Sequence, residues 1–375
     1  MAELASSAGG YAMDEERSAG DESARGAPDD ATEYTLFSES LRKIGARLAA
    51  AGDLKGLRAA VLVMSGAFNP IHVGHVRALE VASEFVQTDL GLFFAGALLS
   101  PHHDSAVRTK LRRSPGDIMP PRHRLRMCQE TAAPLPWLAV DRWEVTRRAA
   151  MDHLAVLAHA RELCAVTFPT VDCQVSRVDD AGRSVSGMKL RRSLPQVVYV
   201  CDGTDFCRAA PRALREIGAL ALTTCRLHGL ERLQRTLDTD AAWASPPPPV
   251  GYLAEDTKMI AVELDGLSSL ELRKQLKDPR TRERELASKM GAAAARVWAE
   301  AKLGAKCGGR EPWTKADKQW SKADTAFMEA TLAEEDAAAA LAGAGGAAPP
   351  AGAPEARAQE KAAAMGTTMR MANYK

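Results

Sequence analysis

The stretch Ser65-Gly66-Ala67-Phe68-Asn69-Pro70-Ile71-His72-Val73-Gly74-His75 decides how this chain folds. Before it runs Ala60-Val61-Leu62-Val63-Met64, an apolar run of strand length. After it, Val76, Leu79, Ala82, Phe85 and Val86 recur at helical spacing. That order reads as a strand, a tight turn and a helix. In an open parallel sheet ligands bind beyond the carboxyl ends of the strands. A helix starting near His75 presents unpaired backbone N–H groups and the positive end of its dipole there. The turn therefore reads as a phosphate site. Gly66 lets backbone approach an anion closely, Gly74 lets the chain turn, and His72 and His75 can converge on one phosphate. A metal cluster of His72, His75, His102, His103 and Asp104 is the competing reading. Strand placement together with Gly66, Pro70 and Gly74 favours the phosphate, so no metal ligands are assigned to the protein.

Working outward, apolar runs at Leu92–Leu99, Trp137–Val140, Val197–Cys201 and Ala219–Thr224 alternate with helical stretches near 121–132, 150–164, 205–217 and 229–237. Alternating strand and helix predicts an α/β fold, a Rossmann-like doubly wound parallel sheet covered on both faces. Residues 167–195 are polar and Arg-rich with Gly182 and Gly187, and read as a long insertion or loop. Ser245 followed by Pro246 to Pro249 reads as a stiff surface connector. Residues 281–303 read as a closing helix. The expected layout is a disordered acidic tail at 1–35, a folded domain at 36–304 and a partly helical, Ala-rich low-complexity tail at 305–375.

The 375 residues, 46% hydrophobic and 26% charged, suffice for one large or two small cores, which excludes a disulfide-stapled miniature. A net charge of +1 excludes a polybasic nucleic-acid binder, so any polyanion must be met locally. Charged residues recur too often for a span of roughly 20 apolar residues, and mean hydropathy is −0.22, so no membrane partner is expected. Seven scattered cysteines without a C-x-x-C pair point to a reducing compartment. An acid-rich start without an apolar core is neither a secretory signal nor a transit peptide, and points to cytoplasm or nucleus.

Gly66 to His75 resembles the G-[ST]-F-N-P-x-[HT]-x-x-H opening of the HxGH nucleotidylyltransferases, and within them the eukaryotic nicotinamide/nicotinate mononucleotide adenylyltransferases. Gly96-Ala-Leu-Leu-Ser-Pro101 with Asp104 and a basic stretch to Lys110 is similar to the family's G-x-x-S-P-x-x-D. Pro121 to Met127 is similar to its x-x-H-R helix. Trp137 to Glu144 resembles W-x-x-V-D-x-W-E, the most family-specific piece. Cys201 to Asp205 resembles G-x-D, and Leu267 to Arg273 resembles I-S-S-T-x-x-R. The matches run in family order from Val61 to Gly304.

The resemblance implies that the 5′-phosphate of a pyridine mononucleotide attacks the α-phosphorus of ATP, giving NAD or its deamido form plus pyrophosphate. It implies His72, His75 and Arg273 as catalytic. ATP would meet Gly66, Ala67, Phe68, His75, Gly203, Asp205, Ser268, Ser269 and Arg273. The mononucleotide would meet Ser65, Gly66, Phe68, Arg108, Lys110 and Trp143, the last stacking on the pyridine ring. Mg²⁺ would be the cofactor, carried mainly by ATP phosphates. The partners are then ATP and a pyridine mononucleotide, with homo-oligomerisation left open. Taken alone, Ser268-Ser269 reads as an ordinary helix cap, Arg273 as a solvated charge, Trp143 as a packing aromatic, and Arg122, Arg124 and Arg126 mostly as a solvated basic face.

Two departures stand out. Leu270 replaces the motif's threonine, and no tryptophan lies between Phe206 and Ala242 to supply the family's second pyridine-stacking ring; Trp243 substitutes only if its loop folds back. A nucleotidylyltransferase with another acceptor and an impaired scaffold of the same fold are the alternatives.

Overall fold

A computed structural model describes residues 30–51, 58–167, 172–178, 184–191, 194–206, 208–224, 227–244, 249–253, 267–278, 283–307, 309 and 311–344. The acidic segment 1–29, Pro246 to Pro248 and the Ala-rich residues beyond 344 lie outside the described residues. The strands are β1 (Ala59–Gly66), β2 (Phe93–Pro101), β3 (Leu138–Val140), β4 (Asp172–Val178), β5 (Ser184–Arg191), β6 (Gln196–Cys201), β7 (Ala219–Thr223) and β8 (Gly251–Leu253). Helices α1 (Asp30–Ala51), α2 (Val73–Thr88), α3 (Asp104–Lys110), α4 (Pro121–Ala132), α5 (Trp143–Thr146) and α6 (His153–Thr167) fall in the first half. They are followed by α7 (Gly203–Phe206), α8 (Pro211–Glu216), α9 (Leu227–Thr239), α10 (Ala241–Ala244) and α11 (Ser269–Lys277). The last are α12 (Glu283–Met290), α13 (Ala292–Glu300), α14 (Leu303–Cys307), α15 (Lys315–Lys318) and α16 (Lys322–Ala344).

Six strands form one parallel sheet in the order β3-β2-β1-β6-β7-β8. The order runs outward in both directions from β1 and β6, so the sheet is doubly wound and its switch point lies between those two strands. The uninterrupted apolar run of β1 follows from burial on both faces. Leu62 and Met64 join Leu79, Val86, Leu125 and Trp298 on one side. Val61 and Val63 join Leu41, Ile44, Leu157 and Leu214 on the other. Each such fully buried side chain stabilises the fold by about 1.5–3 kcal/mol.

Residues 172–191, expected as loop, contain an antiparallel hairpin of β4 and β5, with Cys173 opposite Leu190 and Val175 opposite Met188. The alternation in sequence is short and interrupted: Val178 and Val185 fall out of step with Cys173-Val175 and Met188-Leu190, and the pairing register shifts after Val175. Trp243 is 3% exposed and stacks on Phe206, with ring centroids 4.4 Å apart. Only a glycine at 251 leaves room for that indole, because a β-carbon there would collide with it. Trp243 is thus a core residue under β8.

At the chain's beginning, α1 packs on the edge of the sheet. Lys43 Nζ donates to the carbonyls of Ala132 (2.6 Å), Leu135 (2.8 Å) and Leu138 (3.0 Å), satisfying the end of α4 and the outer side of β3. Beyond Gly304, Trp313 and Trp320 pack against the core and Phe327 is buried.

Candidate active site

The carboxyl ends of β1 and β6 open into a cleft of about 400 Å³, at the switch point of the sheet. Its lining brings together Ser65, Gly66, Ala67, Phe68, His72 and His75 from the first turn, Lys110 from α3 and Asp205 from α7. Ser268, Ser269 and Arg273 come from α11. Two helix N-termini, those of α2 and α11, therefore line one cavity, and both offer positive dipole ends to an anion.

The loop between β1 and α2 is tied down at every step. Arg124, fully buried on α4, donates to the carbonyls of Ala67 (3.1 Å) and His102 (2.9 Å). The Asn69 side chain donates to Asp117 O (2.9 Å) and accepts from Met119 N–H (3.0 Å). Arg273 Nη1 donates to Asn69 O (2.7 Å), and Ser269 Oγ to Pro70 O (3.0 Å). Phe68 sits at φ 41° with its ring 5.1 Å from that of His75, edge to face. That ring explains Gly66, whose added β-carbon would meet Phe68 Cζ at 3.2 Å.

His72 is the N-cap of α2. Its backbone N–H donates to Nδ1 of His75 (3.1 Å), and the two imidazoles lie 3.8 Å apart. Burial pushes His75 down to about 4, so the ring is neutral at physiological pH. With Nδ1 accepting, its proton resides on Nε2, which makes His75 a neutral donor. Ser268 caps α11, accepting from Glu271 N–H (3.1 Å). Leu270 is 54% exposed at the cleft mouth.

Several expected residues lie elsewhere. Arg108 points outward, its side chain 72% exposed and paired with Asp104 at 2.7 Å, and it does not line the cleft. Gly203 opens α7 beside the lining residues Asp202 and Asp205, without itself lining the cavity. Trp143 also lies outside the lining. His159 stacks on it at 4.3 Å, and the Arg147 guanidinium lies 4.3 Å from the same ring centroid. Arg273 is 5% exposed, between the Asn69 carbonyl and Asp117, and so is no solvated charge.

Three residues escaped the reading of site roles. In sequence Arg124 reads as part of a solvated basic face, yet burial lowers its pKa to about 10 while it orders the loop between β1 and α2. Its signal was the H-R pair in the α4 motif. Asn69, which in sequence is only one letter of the motif, carries the loop from within. Glu144 is 1% exposed, accepting from Ser65 Oγ (3.1 Å) and His103 N–H (3.2 Å). Burial raises it to about 8, so it is a largely protonated acid held against the cleft wall at neutral pH. Among the described residues, no group of three or more His, Cys, Asp or Glu side chains is placed to hold a metal ion. Among the described residues no helix is long and apolar enough to cross a membrane.

The cytidylyltransferase-like family model matches residues 63–198, from β1 through the start of β6. A Danio rerio protein, nicotinamide/nicotinic acid mononucleotide adenylyltransferase 2, is 36% identical over 103 residues, covering 28% of this chain and 32% of that protein. Its Xenopus tropicalis namesake is 30% identical over 175 residues, 46% of this chain and 53% of that protein. The chain thus spans about a third to about half the length of these relatives. A solved Plasmodium falciparum nicotinic acid mononucleotide adenylyltransferase, complexed with APC, aligns over 66% of this chain and 97% of its own. Its TM-score is 0.37 at 11% identity, too low to bear on the fold. The cytidylyltransferase-like match thus takes in the loop between β1 and α2, and this chain is similar to the two nicotinamide/nicotinic acid mononucleotide adenylyltransferases over 103 and 175 residues.

Proposed function

We propose that the chain transfers the adenylyl group of ATP to nicotinamide or nicotinate mononucleotide, releasing pyrophosphate. One observation carries the reading: two helix N-termini, His72, His75 and Arg273 converge on one cleft at the switch point of the sheet. The mononucleotide phosphate is already an anion, so no strong base is required. Its oxygen forms a bond to the α-phosphorus as the bond from that phosphorus to the α,β-bridging oxygen breaks. Charge then builds on the departing pyrophosphate, where Nε2–H of His75 and the Arg273 guanidinium donate. Gly66 and Phe68 present main-chain N–H groups, and Ser268 and Ser269 open α11 toward the β,γ end. Lys110 meets the mononucleotide phosphate, and Asp205 faces the ATP ribose.

The cleft wall carries the donors His72, His75, Lys110 and Arg273 and two acids, Asp202 and Asp205. That set would suit Mg²⁺ carried mainly by ATP phosphates, and the ion would supply neutralisation of phosphate charge.

The test is dinucleotide formation from ATP, Mg²⁺ and each mononucleotide in turn, followed by chromatography. Product with either supports the reading; none from folded protein that binds ATP rejects it. A different acceptor is the second reading, favoured by one observation: Trp143 is covered and Trp243 is buried, so no pyridine sandwich stands ready.

A further inference from the structure

We propose that Arg147, held by Glu335 of α16, decides which pyridine mononucleotide is accepted, favouring the acid over the amide; this rests on the adenylyl-transfer reading above. Two groups each 4.3 Å from the Trp143 centroid cannot share one face of the indole. His159 therefore covers one face and the Arg147 guanidinium the other. A pyridine ring gains Trp143 as a stacking partner only by taking the place of that guanidinium.

Arg147 does not sit there by its own choice of rotamer. Its Nε lies 2.7 Å from Glu335 Oε1, with the two side chains only 18% and 15% exposed. The same helix is fastened on both sides of that pair. Arg142 meets Asp324 at 3.2 Å and lies 5.0 Å over the buried Phe327 ring, and both terminal nitrogens of Arg148 bond Asp336. Against those contacts, moving Arg147 breaks an ion pair in a largely dry setting.

The two substrates differ in what they give back. A nicotinate carboxylate carries the same group as Glu335, so a displaced Arg147 exchanges one carboxylate for another. A nicotinamide carboxamide offers a carbonyl dipole and no charge. Arg147 caps the end of α5, close in sequence to Trp143, so its head stays within reach of a ring seated on the indole. The cost of displacement falls on both substrates and is offset for the acid alone.

The test compares kcat/KM for the two mononucleotides in the wild-type chain, Arg147→Met and Glu335→Gln, with circular dichroism melting as the control on folding. The wild type should prefer the acid by about tenfold or more. Arg147→Met keeps side-chain bulk without charge and should bring the ratio near unity, chiefly through a gain in amide turnover. Glu335→Gln removes the pair that holds Arg147 in place and should raise kcat/KM for both mononucleotides while leaving the acid preference. An amide preference in the wild type, or an unchanged ratio in Arg147→Met, overturns the proposal. Should Arg147→Met fail to fold, a Glu335→Gln variant that shows no rise in kcat/KM for the amide, or no acid preference, overturns it instead. A wild-type chain that binds ATP but turns over neither mononucleotide overturns the adenylyl-transfer reading, and the proposal with it.

Discussion

The backbone N–H of His72 donates to Nδ1 of His75 at 3.1 Å, and this bond sets the tautomer of the imidazole that faces the cleft. His75→Asn retains an acceptor near the Nδ1 position and loses the Nε2 donor. It should keep the melting temperature close to wild type and lower kcat by about a hundredfold or more. His75→Ala loses the helix-start bond as well, and should cost about 1 kcal/mol of stability besides. Thermal melts with steady-state kinetics check both, and an Asn variant with near-normal kcat removes the donor role.

Arg273 bonds the Asn69 carbonyl while lining the cleft. Arg273→Lys keeps the charge but not the planar fork. A raised ATP KM of about tenfold, with the mononucleotide KM nearly unmoved, is expected if the guanidinium meets the triphosphate. Equal rises in both KM values would show that it only shapes the loop.

Glu144 has its pKa lifted from 4.5 to about 8 by burial. Between those values the folded chain binds more protons than the unfolded chain, so this residue's contribution to stability declines as pH rises through that window. Glu144→Gln removes the dependence. The variant should gain on the wild type with rising pH, by about 1–3 kcal/mol at pH 8.5. Calorimetry at pH 5 and 8.5 decides, and a gap that shrinks toward alkaline pH contradicts the assignment. The buried His75 and His123, both lowered to about 4, act in the opposite sense, and stability falls as pH drops from 6.5 toward 4.

Asp317 accepts from Lys306 Nζ (2.7 Å), Thr314 N–H (2.8 Å) and Thr314 Oγ1 (2.6 Å), and lies 3.2 Å from His123 Nε2. Burial alone would raise its carboxyl, but these bonds hold it well below the usual range. Asp317→Ala leaves Lys306 without its partner and should cost about 3–5 kcal/mol in urea unfolding at pH 7. The difference should begin to narrow only as pH falls below the ordinary carboxylate value, and should vanish as pH passes through the lowered value of the folded carboxyl.

Local patterns made the sheet readable. Alternate residues of β1 feed opposite cores, and Gly66 and Gly74 punctuate the turn, all within one short window. The fate of side chains whose partners are remote was not readable. Arg124 looks like any basic residue on a basic helix until the carbonyls of Ala67 and His102 are placed beside it. Ser269 and Arg273 were legible as a motif, but their anchoring to Pro70 and Asn69 comes from across the chain. Trp143 shows the same limit, since the carboxylate that pins its neighbour Arg147 belongs to Glu335, far along the sequence.

Lys43 has a consequence for how molecules meet one another. β3 is an outermost strand of the parallel sheet, and such strands recruit foreign strands through unsatisfied carbonyls. The carbonyl of Leu138 faces away from β2, and the Lys43 ammonium already occupies it. An incoming peptide would find a cation in place of an acceptor, and aggregation by strand addition is blocked at that border by one lysine from the first helix.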